Sequence, residues 1–291
     1  MVLALIQELR PRQWLKNGIL FAGLLFTLDQ DHSLHAWLRV LGGFACFCAL
    51  ASAIYIFNDL CDLEQDRKHP RKRLRPLASG RLSRVVASAA MLSLLVSGLA
   101  GATALDGWFL LSAIAYAGVT IAYSLWLKHL VILDVMTLSA GFVLRAVAGA
   151  AVIHVEISPW LLVCTTLGAL FLGFAKRRAE LSLLEEGASD HRRSLEEYSV
   201  ALLDKMITIA STATLIAYCL YTISSKTGAA HPLLMLTIFP VVYGLFRFLY
   251  LVHRREAGGD PTAELLEDRP LVIAMLVWAV ASGLILLLDG G

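Results

Sequence analysis

Uninterrupted apolar stretches of about 20 residues recur along this chain, and they limit its fold more than any other feature. A transmembrane α-helix needs roughly 20 consecutive, mostly apolar residues. The chain has 291 residues, of which 58% are hydrophobic, and its mean hydropathy is +0.69. Soluble domains are usually about 45–50% apolar. We therefore predict an all-α, polytopic membrane protein.

Nine apolar stretches are bounded by charged residues and are predicted to cross the membrane. They cover residues 17–31, 36–57, 85–105, 108–127, 132–153, 159–176, 200–223, 232–252 and 270–289. The first is the weakest, because the run from Gly18 to Leu28 is short and spans only if Gln13 to Lys16 continue the helix. We expect one integral membrane domain over residues 1–291.

Lysine and arginine residues are concentrated in alternate connections between the predicted spans. Cytoplasmic loops of membrane proteins carry an excess of these residues. The opposite connections hold only Arg39 and Lys226, at their edges. The N-terminus is therefore predicted to lie in the cytoplasm, with the protein in the cell inner (plasma) membrane. The two longest polar connections, residues 58–84 and 177–199, are predicted to be cytoplasmic, so chemistry is expected there.

The second predicted span ends in three oxygen-bearing side chains spaced four residues apart. Asn58, Asp62 and Asp66 fall on one helix face, about 12 Å from end to end. Mg²⁺ is typically held by one or two carboxylates plus substrate phosphates, and guanidinium groups bind phosphate oxygens. The nearby basic residues expected to bind phosphate are Arg67, Arg73 and Arg75. The pattern predicts a metal–diphosphate site for Mg²⁺, or Mn²⁺; the alternative is a solvated helix end before a basic loop.

This region resembles the first aspartate-rich motif of the UbiA-type prenyltransferase superfamily. The resemblance rests on Asn58-Asp59-x-x-Asp62-x-x-x-Asp66, followed by Arg73-x-Arg75-Pro76-Leu77-x-x-Gly80. It implies nine transmembrane helices around a central cavity that opens to the cytoplasm and laterally to lipid. It also implies that the active site lies in that cavity.

The family's second motif, roughly DxxxD after the sixth span, is replaced here by Lys176-Arg177-Arg178-Ala179-Glu180-Leu181. This stretch resembles the decaprenyl-phosphate phosphoribosyltransferase branch of the family. Three further stretches share that resemblance: Arg10-Pro11-Arg12-Gln13-Trp14-x-Lys16-Asn17, Tyr123-Ser124-x-x-Leu127-Lys128 and Gly259-Asp260-Pro261-x-x-x-Leu265-Leu266-x-Asp268-Arg269. The branch implies Mg-dependent transfer of 5-phosphoribosyl from phosphoribosyl pyrophosphate to a polyprenyl (decaprenyl-type) phosphate.

Two polyanionic substrates need fixed cations between them. Bringing two such anions together at low dielectric costs several kcal/mol unless positive charges separate them. The cations expected to do so are Lys16, Lys128, Lys176 and Arg177. Glu180 is expected to ligate the metal or to bind ribose hydroxyls, and Tyr123 and Tyr198 to bind phosphate or sugar. The predicted catalytic residues are Asn58, Asp62, Asp66, Lys176 and Glu180.

Two other functions compete with this one. A UbiA-type prenyltransferase, moving a prenyl group from a prenyl diphosphate to an aromatic or other small acceptor, shares the fold and the first motif. A transporter is disfavoured by the odd number of spans and the charge at one face. Arg145, about 12–13 residues into the fifth span, either binds phosphate or has a structural partner. The expected partners are the two substrates and membrane lipid, without nucleic acid; the oligomeric state is left open.

Overall fold

The computed structural model describes residues 2–28, 30, 32–68, 72–156, 158–185, 193–254 and 267–288. Within these ranges the chain is almost entirely helical and has no strand. In chain order the α-helices are α1 (Val2–Glu8), α2 (Ala22–Leu25), α3 (Leu34–Cys61), α4 (Leu63–Lys68), α5 (Arg84–Leu105), α6 (Gly107–Leu125), α7 (Leu133–Ala151), α8 (Pro159–Glu185), α9 (Arg193–Glu196), α10 (Val200–Ser224), α11 (Lys226–Ala230), α12 (Ile238–Arg254) and α13 (Arg269–Leu288). The prediction of an all-α, multi-pass membrane protein is confirmed.

Eight helical segments in these ranges are long and apolar enough to cross a membrane. They are α3, α5, α6, α7, α8, α10, α12 with the preceding 3₁₀ turn, and α13. Seven lie within a few residues of the predicted spans, whereas α8 continues to Glu185, beyond the predicted end at residue 176. Because of this extension, Arg177 and Glu180 lie three residues apart on one helix, where their side chains can meet.

The first predicted span differs most from the structure. Instead of an α-helix over residues 17–31, Pro11–Phe21 forms a 3₁₀ helix, and α2 continues it to Leu25. With a rise of about 2.0 Å per residue in the 3₁₀ part and 1.5 Å in α2, this segment reaches roughly 28 Å. That length is close to the roughly 30 Å of a bilayer core. The predicted count of nine is thus approximate: the described chain has eight long helices and one tightly wound segment.

The 3₁₀ segment packs against α7 through glycines. A Cβ atom added at Gly149 would lie 2.0 Å from the carbonyl oxygen of Leu20, so no side chain fits there. One turn earlier on α7, the Nε atom of Arg145 donates a hydrogen bond to Oδ1 of Asn17 at 2.7 Å. This contact holds the segment that carries Lys16 inside the bundle.

The described residues form three apolar clusters, and α7 contributes to the two larger ones. One contains Phe47 of α3 and Phe109 of α6, whose rings are 5.6 Å apart. The other contains Phe171 of α8 and Phe248 of α12, at 5.2 Å. Between transmembrane helices such close packing supplies much of the association energy, because lipid is as apolar as the side chains.

Candidate functional site

The predicted stripe of oxygen ligands bends at its middle residue. Helix α3 ends at Cys61 and α4 begins at Leu63, with Asp62 between them. The Asp62 N–H still donates to the Asn58 carbonyl at 2.9 Å, and the Asp66 N–H donates to the Asp62 carbonyl at 2.8 Å. The three side chains therefore follow one another on successive turns. Asp66 is 2% exposed, whereas Asn58 and Asp62 are partly buried.

Both aspartates of the stripe have basic partners. The Nζ atom of Lys128 lies 2.7 Å from Oδ1 of Asp62. The Nη1 atom of Arg75 donates to Oδ2 of Asp66 at 2.6 Å, and Lys72 lies 3.9 Å from the other oxygen. Burial raises the pKa of Asp66, and the positive charge of Arg75 opposes that rise. Each of the two carboxylates is thus paired with at least one basic side chain.

Asp59 lies next to the stripe but on another face of α3. It is 2% exposed, accepts a hydrogen bond from Nη1 of Arg75 at 2.9 Å and pairs with Arg10. Glu8 of α1 is 1% exposed, and neither of its carboxyl oxygens has a hydrogen-bond partner in the described part of the chain. Burial, together with the neighbouring Asp59 charge, raises the pKa of Glu8 to about 7. The guanidinium of Arg75 donates hydrogen bonds both to Asp59 and to Asp66, so it links Asp59 to the stripe.

A second cluster surrounds Arg177, whose side chain is fully buried. Its Nε atom donates to Oδ2 of Asp134 at 2.5 Å. Its Nη1 atom donates to Oε2 of Glu180 at 2.5 Å, and its Nη2 atom donates to the hydroxyl of Tyr123 at 3.1 Å. The hydroxyl of Tyr198 donates to Oδ1 of Asp134 at 2.9 Å. Four residues predicted from the sequence are thus brought together.

Asp134 organises this cluster, although no sequence pattern indicated it. An acidic residue in the first turn of a helix is ordinary, because it interacts favourably with the helix dipole. In the structure its side chain is 0% exposed and contacts both Arg177 and Tyr198. Burial raises the pKa of Tyr198, as does the Asp134 charge, so the hydroxyl remains a donor. The full burial of Asp134 depends on the packing of the folded chain, so the sequence alone does not indicate it.

The segment from Tyr123 to Lys128 joins the two clusters, since Tyr123 contacts Arg177 and Lys128 contacts Asp62. Lys176 is partly buried, and it lies near the opposite charge of Glu180 as well as near the like charges of Lys16 and Arg177.

Among the described residues, Lys176 makes no hydrogen bond and no ion pair. The predicted phosphate ligands Arg67 and Arg73 are not brought into either cluster. Arg67 is exposed and pairs with Glu64 at 3.1 Å, and Arg73 is exposed.

The oxygen atoms of the stripe are too few to hold a metal ion by themselves, so phosphate oxygens would have to complete the coordination shell of the metal. In the described ranges, no group of three or more His, Cys, Asp or Glu side chains could hold a metal ion. Asn58 and Asp62 offer an amide and a carboxylate oxygen, which are hard ligands of the kind Mg²⁺ prefers. These residues therefore fit Mg²⁺ bound together with a phosphate group rather than in an all-protein site.

Two other features lie apart from the clusters. An apolar cavity of about 250 Å³ lies between α8, α12 and α13, and Phe171, Phe248 and Trp278 are among its lining residues. The predicted motif before the last span falls mostly outside the described residues. Of its described part, Asp268 binds Arg247 at 2.9 Å and accepts the backbone N–H of Leu271 at the start of α13.

Comparison with known proteins places these features in a family. Residues 18–266 match the model of the UbiA prenyltransferase family. The chain is 34% identical to the decaprenyl-phosphate phosphoribosyltransferase of Mycolicibacterium smegmatis, over 96% of this chain and 91% of the relative. It is also 34% identical to the protein of the same name from Corynebacterium glutamicum, over 94% and 84% of the two chains.

A solved structure shares the fold. It is a UbiA homolog from Archaeoglobus fulgidus bound to GPP and Mg²⁺, with a TM-score of 0.72 and 18% identity, covering 97% of this chain and 99% of that one. The relatives are named as transferases, and this chain is a transferase enzyme. From the extent of these matches, the chain belongs to the UbiA prenyltransferase family.

Proposed function

We propose that the chain transfers 5-phosphoribosyl from phosphoribosyl pyrophosphate to a polyprenyl phosphate and releases pyrophosphate. The observation that carries the proposal is the pair of adjacent basic residues Lys176 and Arg177 on α8, with the charge of Lys16 nearby, in place of the family's second pair of aspartates. A neutral aromatic acceptor needs no fixed cation, whereas a lipid phosphate beside a polyanionic donor does. The names of the relatives support the same substrates.

The stripe and its basic partners form the donor site in this proposal. Asn58, Asp62 and Asp66 would hold Mg²⁺, and a metal bound there would supply positive charge that stabilises the pyrophosphate as a leaving group. Lys128 already contacts Asp62, so its ammonium group is placed to bind the same pyrophosphate. Arg75 forms an ion pair with Asp66 and adds a positive charge next to the site.

Lys176 is the proposed ligand of the acceptor phosphate. Arg177 forms direct ion pairs with Asp134 and Glu180, whereas Lys176, which also lies near the charge of Glu180, has no ion pair within 4 Å in the described ranges. Lys16, on the 3₁₀ segment, adds a second positive charge near it. The lipid phosphate is ionised at neutral pH, so its attack on C1 needs no strong general base. Glu180, oriented by Arg177, would then bind ribose hydroxyls or the metal.

The proposed orientation places both clusters at the cytoplasmic face of the plasma membrane. Two ion pairs lie at one end of α3, α6, α7 and α8. Lys128 pairs with Asp62, and Arg177 pairs with Asp134. The basic connections are at this same end, as expected for cytoplasmic loops. The donor would enter from the cytoplasm, and the lipid acceptor from the bilayer.

A donor comparison tests the function. Purified protein is given either labelled phosphoribosyl pyrophosphate with polyprenyl phosphate, or a labelled prenyl diphosphate with an aromatic acceptor. We expect Mg²⁺-dependent label in the lipid only with the first pair; prenyl transfer with the second pair alone would overturn the proposal.

Replacing Lys176 with Met should raise KM for polyprenyl phosphate about tenfold or more, and KM for phosphoribosyl pyrophosphate much less. The exposed Lys205→Met variant is the matched control.

A further inference from the structure

The turn that leads into α7 has a backbone conformation that L residues rarely adopt. Ile132 has φ 69° and ψ −50°, and the Leu133 N–H donates to the Val131 carbonyl at 2.8 Å. These values define a γ-turn of the positive-φ type, which is rare and strained. For a β-branched residue, positive φ is a true outlier. Such strain persists only where the surrounding structure enforces it, and it concentrates at functional sites.

The hydroxyl of Tyr198 holds this turn. It accepts the N–H of Ile132 at 2.7 Å and donates to Oδ1 of Asp134 at 2.9 Å. The Tyr198 side chain is 5% exposed, and its hydroxyl is used as both acceptor and donor. Asp134 also accepts the N–H of Val135 at 2.9 Å. The phenol group of Tyr198, in the connection before α10, thus fixes both the strained Ile132 and the carboxylate of Asp134.

The turn lies between the residues that serve the two clusters. Four residues before Ile132, Lys128 pairs with Asp62 of the stripe. Two residues after it, Asp134 pairs with the buried Arg177. A change in the turn would therefore alter the separation of the two clusters, and with it the distance between donor and acceptor sites.

We infer that Tyr198 is a positioning residue, which clamps the γ-turn at Ile132 so that Lys128 and Asp134 hold the stripe and the Arg177 cluster in register. The inference deepens the proposed function and rests on it for its consequence in catalysis. It gives Tyr198 a role through Ile132 and Asp134 instead of direct contact with sugar or phosphate.

A double-mutant cycle on Tyr198→Phe and Ile132→Gly tests the clamp. Glycine adopts positive φ without strain, so the turn in the Ile132→Gly variant needs the phenol hydroxyl less. The probe is inorganic pyrophosphate with Mg²⁺, titrated into the purified full chain by calorimetry. We expect Tyr198→Phe to weaken binding about tenfold in the native background and about threefold or less in the Ile132→Gly background. Tyr243→Phe, an exposed tyrosine on α12, is the control and should bind as the native chain does.

Three results would overturn the inference. An equal loss of pyrophosphate affinity in both backgrounds would show that the hydroxyl does not act through the turn. No loss in either background would show that it does not position the donor site. A native chain that binds no Mg²⁺–pyrophosphate would contradict the proposed function itself, and the inference with it. A native chain that binds normally, with an uncoupled cycle, contradicts the inference alone.

Discussion

The ammonium group of Lys128 lies 2.7 Å from the carboxylate of Asp62, although 66 residues separate the two along the chain. Their side chains are 9% and 23% exposed, so the pair is largely shielded from water. A carboxylate held in this way is oriented before any ligand binds. If Asp62 holds the proposed metal, Lys128 is placed to contact a phosphate bound to that metal, and the pair would link metal binding and anion binding at one point.

Replacing Asp62 with Ala should lower the transfer rate about 100-fold or more at saturating Mg²⁺, because the leaving pyrophosphate loses its metal. Initial rates with labelled phosphoribosyl pyrophosphate measure the effect. Glu64→Gln is the matched control, since Glu64 is 70% exposed and contacts only surface arginines in the described chain. A rate for the Asp62 variant within a few-fold of the native chain would remove Asp62 from the proposed metal site.

Replacing Asp134 with Asn should destabilise the protein strongly. Arg177 and Asp134 are both 0% exposed, and breaking a buried ion pair by removing one partner costs about 3–5 kcal/mol. The control is Asp204→Asn. It breaks the ion pair between Asp204 and Arg178, the residue that follows Arg177, and the side chains of Arg178 and Asp204 are 13% and 34% exposed. Thermal unfolding in detergent should show a much larger drop in Tm for the first variant. Equal drops would mean that Asp134 stabilises the Arg177 cluster no more than an ordinary, partly exposed ion pair would.

The sequence predicted the spans and the four-residue spacing of the stripe well, because both depend on local periodicity. It could not predict the ion pairs. Lys128 and Asp62 come from different connections, and only the packing of α6 against α3 brings them together. The buried role of Asp134 was hidden for the same reason.

Local patterns also misled in two places. The first apolar stretch predicted an α-helical span, whereas Pro11–Phe21 forms a 3₁₀ helix that lies in close contact with Gly149 of α7. The γ-turn at Ile132 runs against the preference of a β-branched residue, so no propensity could have indicated it. Tertiary contacts decide both features.

Arg145 has structural partners, and its replacement by Lys should lower stability. Its guanidinium donates to Asn17, to the Gly141 carbonyl and to the Tyr116 hydroxyl, and it stacks over the Tyr116 ring at 4.4 Å. Lysine keeps the charge but cannot reproduce this fork. We expect a loss on the order of 2 kcal/mol, measured as a lower Tm.

Arg84→Lys serves as the control for that variant, because Arg84 is 61% exposed and pairs only with exposed Glu64 in the described chain. Its Tm should stay close to that of the native chain. If Arg145→Lys also leaves Tm unchanged but raises KM for either substrate, Arg145 binds phosphate and its contacts in the bundle are secondary.

Glu8 should make stability depend on pH. Its pKa is raised from 4.5 to about 7 in the folded protein, so the unfolded chain releases this proton first as pH rises. Stability is therefore lost between about pH 4.5 and pH 7, by up to about 3 kcal/mol. Glu8→Gln stays neutral, so it should raise Tm at about pH 8 and change Tm little at about pH 5. The same shift in Tm at both pH values would contradict the raised pKa.

Pyrophosphate release coupled to lipid labelling tests the central claim most directly. The purified chain is given Mg²⁺, polyprenyl phosphate and phosphoribosyl pyrophosphate labelled in the 5-phosphate, and both products are quantified. We predict one labelled lipid for each pyrophosphate released, and neither product when Mg²⁺ is chelated or polyprenyl phosphate is omitted. Lipid that stays unlabelled, or pyrophosphate released without labelled lipid, would contradict the account.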